Sequence, residues 1–287
     1  MKRILLMCAL SLLAAQILVA PLYASQSGDV DWNKITSWKL DAKPLDLVHS
    51  LDNQKVYILG DDSKVHIFSA KGAKLGAIPV AEGVTAIDIE PRGTRLYLIN
   101  EKDNTFTSLA ISFVTPIDIT GSPFLGNENA PVVLVVFSDF QCPYCGRIPQ
   151  LLEQLLENNP QTVKIVFKNL PLTRIHKIAE PAALAALAAH KQGKFWQMHD
   201  AIFAIGGNKL NMEKIVAAAR EIGLDMEQFN NDRTSPAVKQ QLAKDLADAR
   251  EAQVTGTPTL LVNGRLISDR SPQALQKAVD REMAKSR

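Results

Sequence analysis

Two cysteines separated by two residues, Cys142-Pro143-Tyr144-Cys145, are the part of this chain best suited to chemistry. The third cysteine, Cys8, lies in an apolar stretch near the N-terminus. A disulfide between positions 142 and 145 would close too small a loop to stabilise much, because the entropic benefit grows with loop length. The same spacing where a strand meets a helix suits reversible thiol–disulfide exchange. The thiolate is the reactive form. If Cys142 caps the helix, free backbone N–H groups and the positive end of the helix dipole favour that form. Pro143 suits the first helical position, where its missing N–H costs nothing. Cys145 then lies one turn inward, within reach of Cys142. Pro149 cannot donate to the Cys145 carbonyl, which predicts a kink in that helix.

The flanking elements are legible from their periodicity. Residues 132–137 form an unbroken apolar run, as in a strand buried on both faces. After the cysteines, Ile148, Leu151, Leu152, Leu155 and Leu156 make the apolar stripe of a helix that stops near Asn158-Asn159-Pro160. Residues 163–167 read as the next strand. Residues 175–253 carry helix-period apolar positions over 179–190, 194–203, 212–222 and 235–253, with Gly206-Gly207 and Gly223 between them. Residues 259–262 and 265–267 read as a hairpin, because Asn263-Gly264 supplies the positive φ angles of a tight turn. A last helix is expected over about 272–285. Thr257-Pro258 precedes that hairpin, and by itself it reads as a trans turn proline.

Residues 30–115 differ in kind. Short alternating segments are separated by turn signals such as Asp61-Asp62, Lys71-Gly72 and Asp103-Asn104. Lys55-Val56-Tyr57-Ile58-Leu59 is matched by Arg95-Leu96-Tyr97-Leu98-Ile99. A repeat of about 40 residues with short strands has the size of a propeller blade. Two blades cannot close a propeller. The repeats therefore predict self-association into a homodimer, or packing on the rest of the chain. The alternative is a small β-sandwich whose halves merely resemble each other. His49 and His66 read as strand residues on a polar face. Residues 115–129, rich in proline, glycine and asparagine, read as a linker.

Lys2 and Arg3 ahead of an apolar run, with Ala24 before Ser25, predict a signal peptide over 1–24 that is cleaved on export; an uncleaved membrane anchor is the competing reading. Those two residues also account for the whole formal charge of +2, so no attraction to nucleic acid is implied. Export places the cysteines in an oxidising compartment. Structural zinc needs four Cys/His ligands, and His49, His66, His176, His190 and His199 form no paired motif, so neither metal nor cofactor is expected. His190 and His199 read as helix-surface or core-edge residues, and Phe195 and Trp196 as packing between helices.

Four ordered matches resemble the DsbA-like branch of the thioredoxin superfamily. They are Gly126-Asn127-Glu128-Asn129-Ala130-Pro131, then residues 137–145 through the cysteine motif, then residues 193–200, then Gly256-Thr257-Pro258-Thr259. The resemblance covers about residues 121–287. It implies a thioredoxin fold over 120–287, with a helical domain inserted at about 171–250, preceded by an all-β, propeller-blade-like domain over 25–119. It further implies that Cys142 is the nucleophile, that Cys145 resolves, that Pro143 and Tyr144 belong to the active-site motif, and that a cis Pro258 with Thr257 aligns substrate. Expected partners are proteins bearing thiols or disulfides and a membrane redox partner. The function implied is periplasmic protein thiol:disulfide oxidoreductase. A dimeric isomerase or reductase, and a non-catalytic scaffold, are the alternatives. One departure matters: relatives commonly carry an acid at the position of Val136, so the proton acceptor for Cys145 is open.

Overall fold

Short alternating segments punctuated by acidic and glycine turns become antiparallel meanders in the computed structural model, which describes residues 30–91 and 93–285. The expected leader therefore lies outside the described residues. The chain divides into two units, with the boundary between Leu109 and Ala110.

The first unit holds a four-stranded sheet in the order β1 (Pro44–His49), β2 (Lys55–Gly60), β3 (Lys64–Ser69), β4 (Lys74–Pro79). A three-stranded sheet follows: β5 (Val84–Ile89), β6 (Arg95–Asn100), β7 (Thr105–Ala110). The sequence repeat is a structural one. The limits of β1 and β2 recur 40 residues later as those of β5 and β6, and both pairs carry an irregularity at the same point, Pro44/Asp46 and Val84/Ala86. Strand β4 escaped the sequence reading because its inward positions, Gly76 and Ile78, are only half-buried. His66, expected on a polar face, is buried, with Nε2 3.0 Å from Asp62 Oδ1.

The second unit is a five-stranded sheet in the order β12-β11-β9-β10-β8. Its centre is β9 (Val132–Ser138) beside β10 (Val163–Asn169), in parallel, joined through helix α1 (Ile148–Asn158). β11 (Thr259–Val262) runs antiparallel to β9, and β12 (Arg265–Ile267) returns through the Asn263-Gly264 turn, both residues at positive φ as expected. β8 (Phe124–Gly126) pairs with β10 inside the segment read as a linker. Three residues are too few to show a strand period. The helical insertion lies between β10 and β11: α2 (Ala179–Lys191), α3 (Phe195–Ile205), α4 (Met212–Glu221), α5 (Met226–Asp232) and α6 (Pro236–Glu251). Helix α5 was not anticipated, although Asp225 caps it by accepting from Gln228 N–H at 3.0 Å. Helix α7 (Pro272–Lys285) closes the unit.

Two cores sandwich the sheet's central strands. On one face Val132, Leu134 and Val136 of β9 meet Ile148, Leu152 and Leu155 of α1 and Leu275 and Val279 of α7. Full burial of each such side chain is worth about 1.5–3 kcal/mol, enough to fix the angle at which α1 leaves the cysteine loop. Val136, 1 % exposed, puts an apolar side chain and no carboxylate at its strand position. In a further core, Phe140 of the cysteine loop and Phe167 of β10 join Phe195, Met198 and Ile202 of α3 and the alanine face of α2.

Candidate active site

The cysteines sit where β9 ends. Cys142 N–H donates to Asp139 O at 3.1 Å, and Cys142 O accepts from Cys145 N–H at 3.1 Å and Gly146 N–H at 3.4 Å. Cys142 thus starts the helical hydrogen bonding, but α1 itself begins at Ile148, and Cys145–Arg147 form a 3-10 turn. The expected kink is therefore a change of helix type. Pro149 has no N–H to reach the Cys145 carbonyl, and the turn ahead of it tightens to i+3 bonding.

Thr257-Pro258 is a cis peptide, as the family resemblance implied and the isolated dipeptide did not. Cys142 Sγ is 3.6 Å from the Thr257 carbonyl oxygen, to which the thiol donates. Cys142, Cys145, Thr257 and Pro258 are thus brought together. Pro143 and Tyr144 are exposed beside them, and the Arg147 guanidinium lies 5.6 Å from the Tyr144 ring centroid.

The two thiols differ in surroundings. Cys142 lines an open cleft of about 460 Å³ with Phe140, Pro143, Arg147, Phe203 and residues 204–209. Cys145 is fully buried, and its sulfur accepts from the Asp139 backbone N–H at 3.5 Å. Burial pushes the Cys145 thiol up to about 12, while Ser138 and Thr257 beside the sulfur pull the other way. A thiol raised on folding contributes stability that is complete below its unfolded pKa and is lost as pH climbs toward its folded one. The reduced protein should therefore weaken between about pH 9 and 12. By pH 10.5 the loss relative to Cys145→Ala should approach ~2 kcal/mol. Denaturant unfolding of both proteins at pH 7 and 10.5 checks it; parallel loss would refute the assignment to Cys145.

The insertion shapes the cleft's other wall. Phe140 packs on Phe203 (5.0 Å between centroids), Phe167 (5.5 Å) and His199 (5.8 Å). His199, expected at a helix surface or core edge, is 3 % exposed within this aromatic group. Phe195 and Trp196 pack there too, as expected. A Cβ at Gly207 would run into the backbone of Gln141, so the loop after α3 lies directly against the residue preceding Cys142.

Asp139 went unassigned in the sequence reading. Its buried carboxylate accepts from Gln141 N–H (2.7 Å) and Leu172 N–H (2.8 Å), and pairs with His176 Nδ1 (2.7 Å). The His176 contact spans 37 positions, and no local spacing reveals it. Below the site, Lys168 Nζ is wholly buried and donates to Asp248 Oδ2 (2.6 Å) and the Asp118 carbonyl (2.7 Å), with Asp245 Oδ1 at 3.2 Å. Burial holds the Asp245 carboxyl above its usual range, against the pull of Lys168 and Asn169.

A family model described as Thioredoxin matches residues 119–281. A thioredoxin-like oxidoreductase from Silicibacter pomeroyi is 35% identical; the match covers 57% of this chain and 94% of that one, with a TM-score of 0.53. The thiol-disulfide exchange protein alpha-DsbA2 from Wolbachia pipientis is 27% identical over 56% of this chain and 87% of that one, TM-score 0.51. Among curated proteins, a Na(+)/H(+) antiporter NhaA 1 of Salinispora arenicola is 36% identical over 155 residues, 54% of this chain. That match spans 24% of the antiporter's length. No helix among the described residues is long and apolar enough to cross a membrane.

Proposed function

The chain belongs to the thioredoxin family, and from that membership we propose that it is a periplasmic protein thiol:disulfide oxidoreductase working through Cys142 and Cys145. The observation that carries this reading is the asymmetry of the pair: Cys142, 6 % exposed, lines an open cleft with its sulfur beside the Thr257 carbonyl, and Cys145 is fully buried. The transport named for the curated relatives is not carried over, because the likeness spans a quarter of their length.

In the reducing direction the Cys142 thiolate attacks one sulfur of a substrate disulfide. A mixed disulfide forms and the substrate's second sulfur leaves with the electron pair. Cys145, deprotonated, then attacks Cys142 Sγ and expels the first substrate sulfur. The substrate gains two electrons and the protein keeps a Cys142–Cys145 disulfide. The reverse sequence inserts a disulfide into a substrate dithiol. The backbone at Thr257 and Pro258 is where substrate main chain would align. A membrane redox partner resets the pair, and residues 1–24 direct export as a cleaved signal.

Catalysis of insulin-disulfide reduction, or of oxidative refolding of reduced ribonuclease, tests the function; inactivity in both would leave a scaffold. Self-association belongs to the same reading and is assigned to the β-unit, whose second sheet ends in the exposed Phe106 of β7 (63 % exposed). Light scattering at high protein concentration should give the mass of a dimer; a monomer would remove that assignment.

A further inference from the structure

The cysteine loop is bracketed to the segment between β10 and α2 by two side chains. Asp139, whose side chain is 0% exposed, holds Gln141 N–H of its own loop together with Leu172 N–H and His176 Nδ1 from that segment. In the tautomer with its proton on Nδ1, His176 donates to the Asp139 carboxyl oxygen. Gln141 adds a second tie, its Oε1 accepting from Ile178 N–H at 2.7 Å. The segment is itself a tight turn, with Ile175 and His176 N–H both donating to Leu172 O at 2.9 Å. A buried carboxylate needs such donors, and each one lost leaves an acceptor without its compensation.

The Asp139 main chain does something else. Its N–H points at Cys145 Sγ, 3.5 Å away. From these contacts we infer that Asp139 and His176 are positioning residues for the departure of Cys145. They hold the Asp139 amide where it stabilises negative charge on that sulfur. When a thiolate attacks Cys142 Sγ of the protein's own disulfide, a bond forms to Cys142. The Cys142–Cys145 bond breaks, and its electron pair leaves on Cys145. That sulfur is fully buried, so a donor already aimed at it lowers the barrier. His176 never touches the sulfur. It acts by completing the set of donors that fixes the Asp139 carboxylate, and through it the amide. With Val136 in the strand, no buried acid at that position shares the task.

The inference rests on the oxidoreductase reading, and the experiment separates the two. Two rates are measured: opening of the Cys142–Cys145 disulfide by dithiothreitol, and alkylation of Cys142 by iodoacetamide in the reduced protein. His176→Leu should slow opening about tenfold, the effect of one weakened charge-assisted hydrogen bond. Alkylation of Cys142, in which Cys145 does not leave, should stay within about twofold, a factor small beside that tenfold effect. His176→Gln, whose amide can donate to the carboxylate, should restore most of the opening rate. Because His176 is partly exposed (18% for the side chain), its replacement is tolerated better than that of Asp139. Opening unchanged in folded His176→Leu overturns the inference. So does a parallel fall in both rates, which marks a purely structural role, or failure of His176→Gln to recover. A wild-type protein that forms no Cys142–Cys145 disulfide overturns instead the oxidoreductase reading.

Discussion

Cys142→Ala is expected to lose thiol–disulfide exchange down to the uncatalysed background, a drop on the order of 10³-fold or more. Exchange proceeds by in-line attack at sulfur, so a sulfur must reach the substrate. Cys142 lines the cleft and Cys145 is fully buried. Cys145 cannot take over the first step without reorganising the aromatic and backbone contacts around the loop. The fold should survive, because alanine keeps the Cys142 backbone bonds to Asp139, Cys145 and Gly146. Cys145→Ala should behave differently. It retains the attacking sulfur and lacks the resolving one, so substrate proteins should accumulate on it as mixed disulfides that a reductant releases. Gel mobility with and without reductant, alongside insulin reduction, reads both variants. Turnover by Cys142→Ala, or no trapped adduct on Cys145→Ala, would end the proposed division of labour.

Lys168→Met should cost about 3–5 kcal/mol of stability, the usual result of removing one member of a buried ion pair. Methionine fills similar space, so the loss is electrostatic. Asp245, 0% exposed, would keep Asn169 N–H and side-chain donors at 3.0 and 2.9 Å but lose its buried cation. Asp248 would lose its 2.6 Å partner, with Lys244 left at 3.9 Å. The Asp118 carbonyl would keep only its Lys244 donor. The deficit should shrink on acidification, because a protonated Asp245 carries no buried charge. Burial already pushes that carboxyl upward, so the change begins above the ordinary aspartate range. Urea midpoints at pH 7 and 5 test both statements. A loss under about 1 kcal/mol, the range of exposed pairs, would mean that the network is solvated.

What could be read from the chain and what could not divides along sequence separation. The apolar run before Cys142, the stripe on α1 and the Asn263-Gly264 turn are local signals, and each maps onto the element it announced. The cis state of Pro258 came from family resemblance, since the dipeptide carries no such information. Strand β8 and helix α5 are short enough for tertiary pairing and capping to outweigh periodicity. The 3-10 turn at Cys145–Arg147 follows from Pro149, whose missing bond was foreseen although the form of the distortion was not. Apart from Gln141, the side-chain partners of Asp139 and Lys168 lie 33 to 80 positions away and become neighbours only in the folded chain. His199 likewise looks unremarkable on its helix until Phe140 and Phe167 close around it.

The way Phe140, Gln141 and Asp139 each grip a different part of the chain beyond β10 has a practical bearing on protein engineering. The helical region cannot be treated as a cassette. A chimera that exchanged it for a foreign one would sever the Phe203, Ile178 and His176 contacts at once. The donor segment would have to bring counterparts for all three residues.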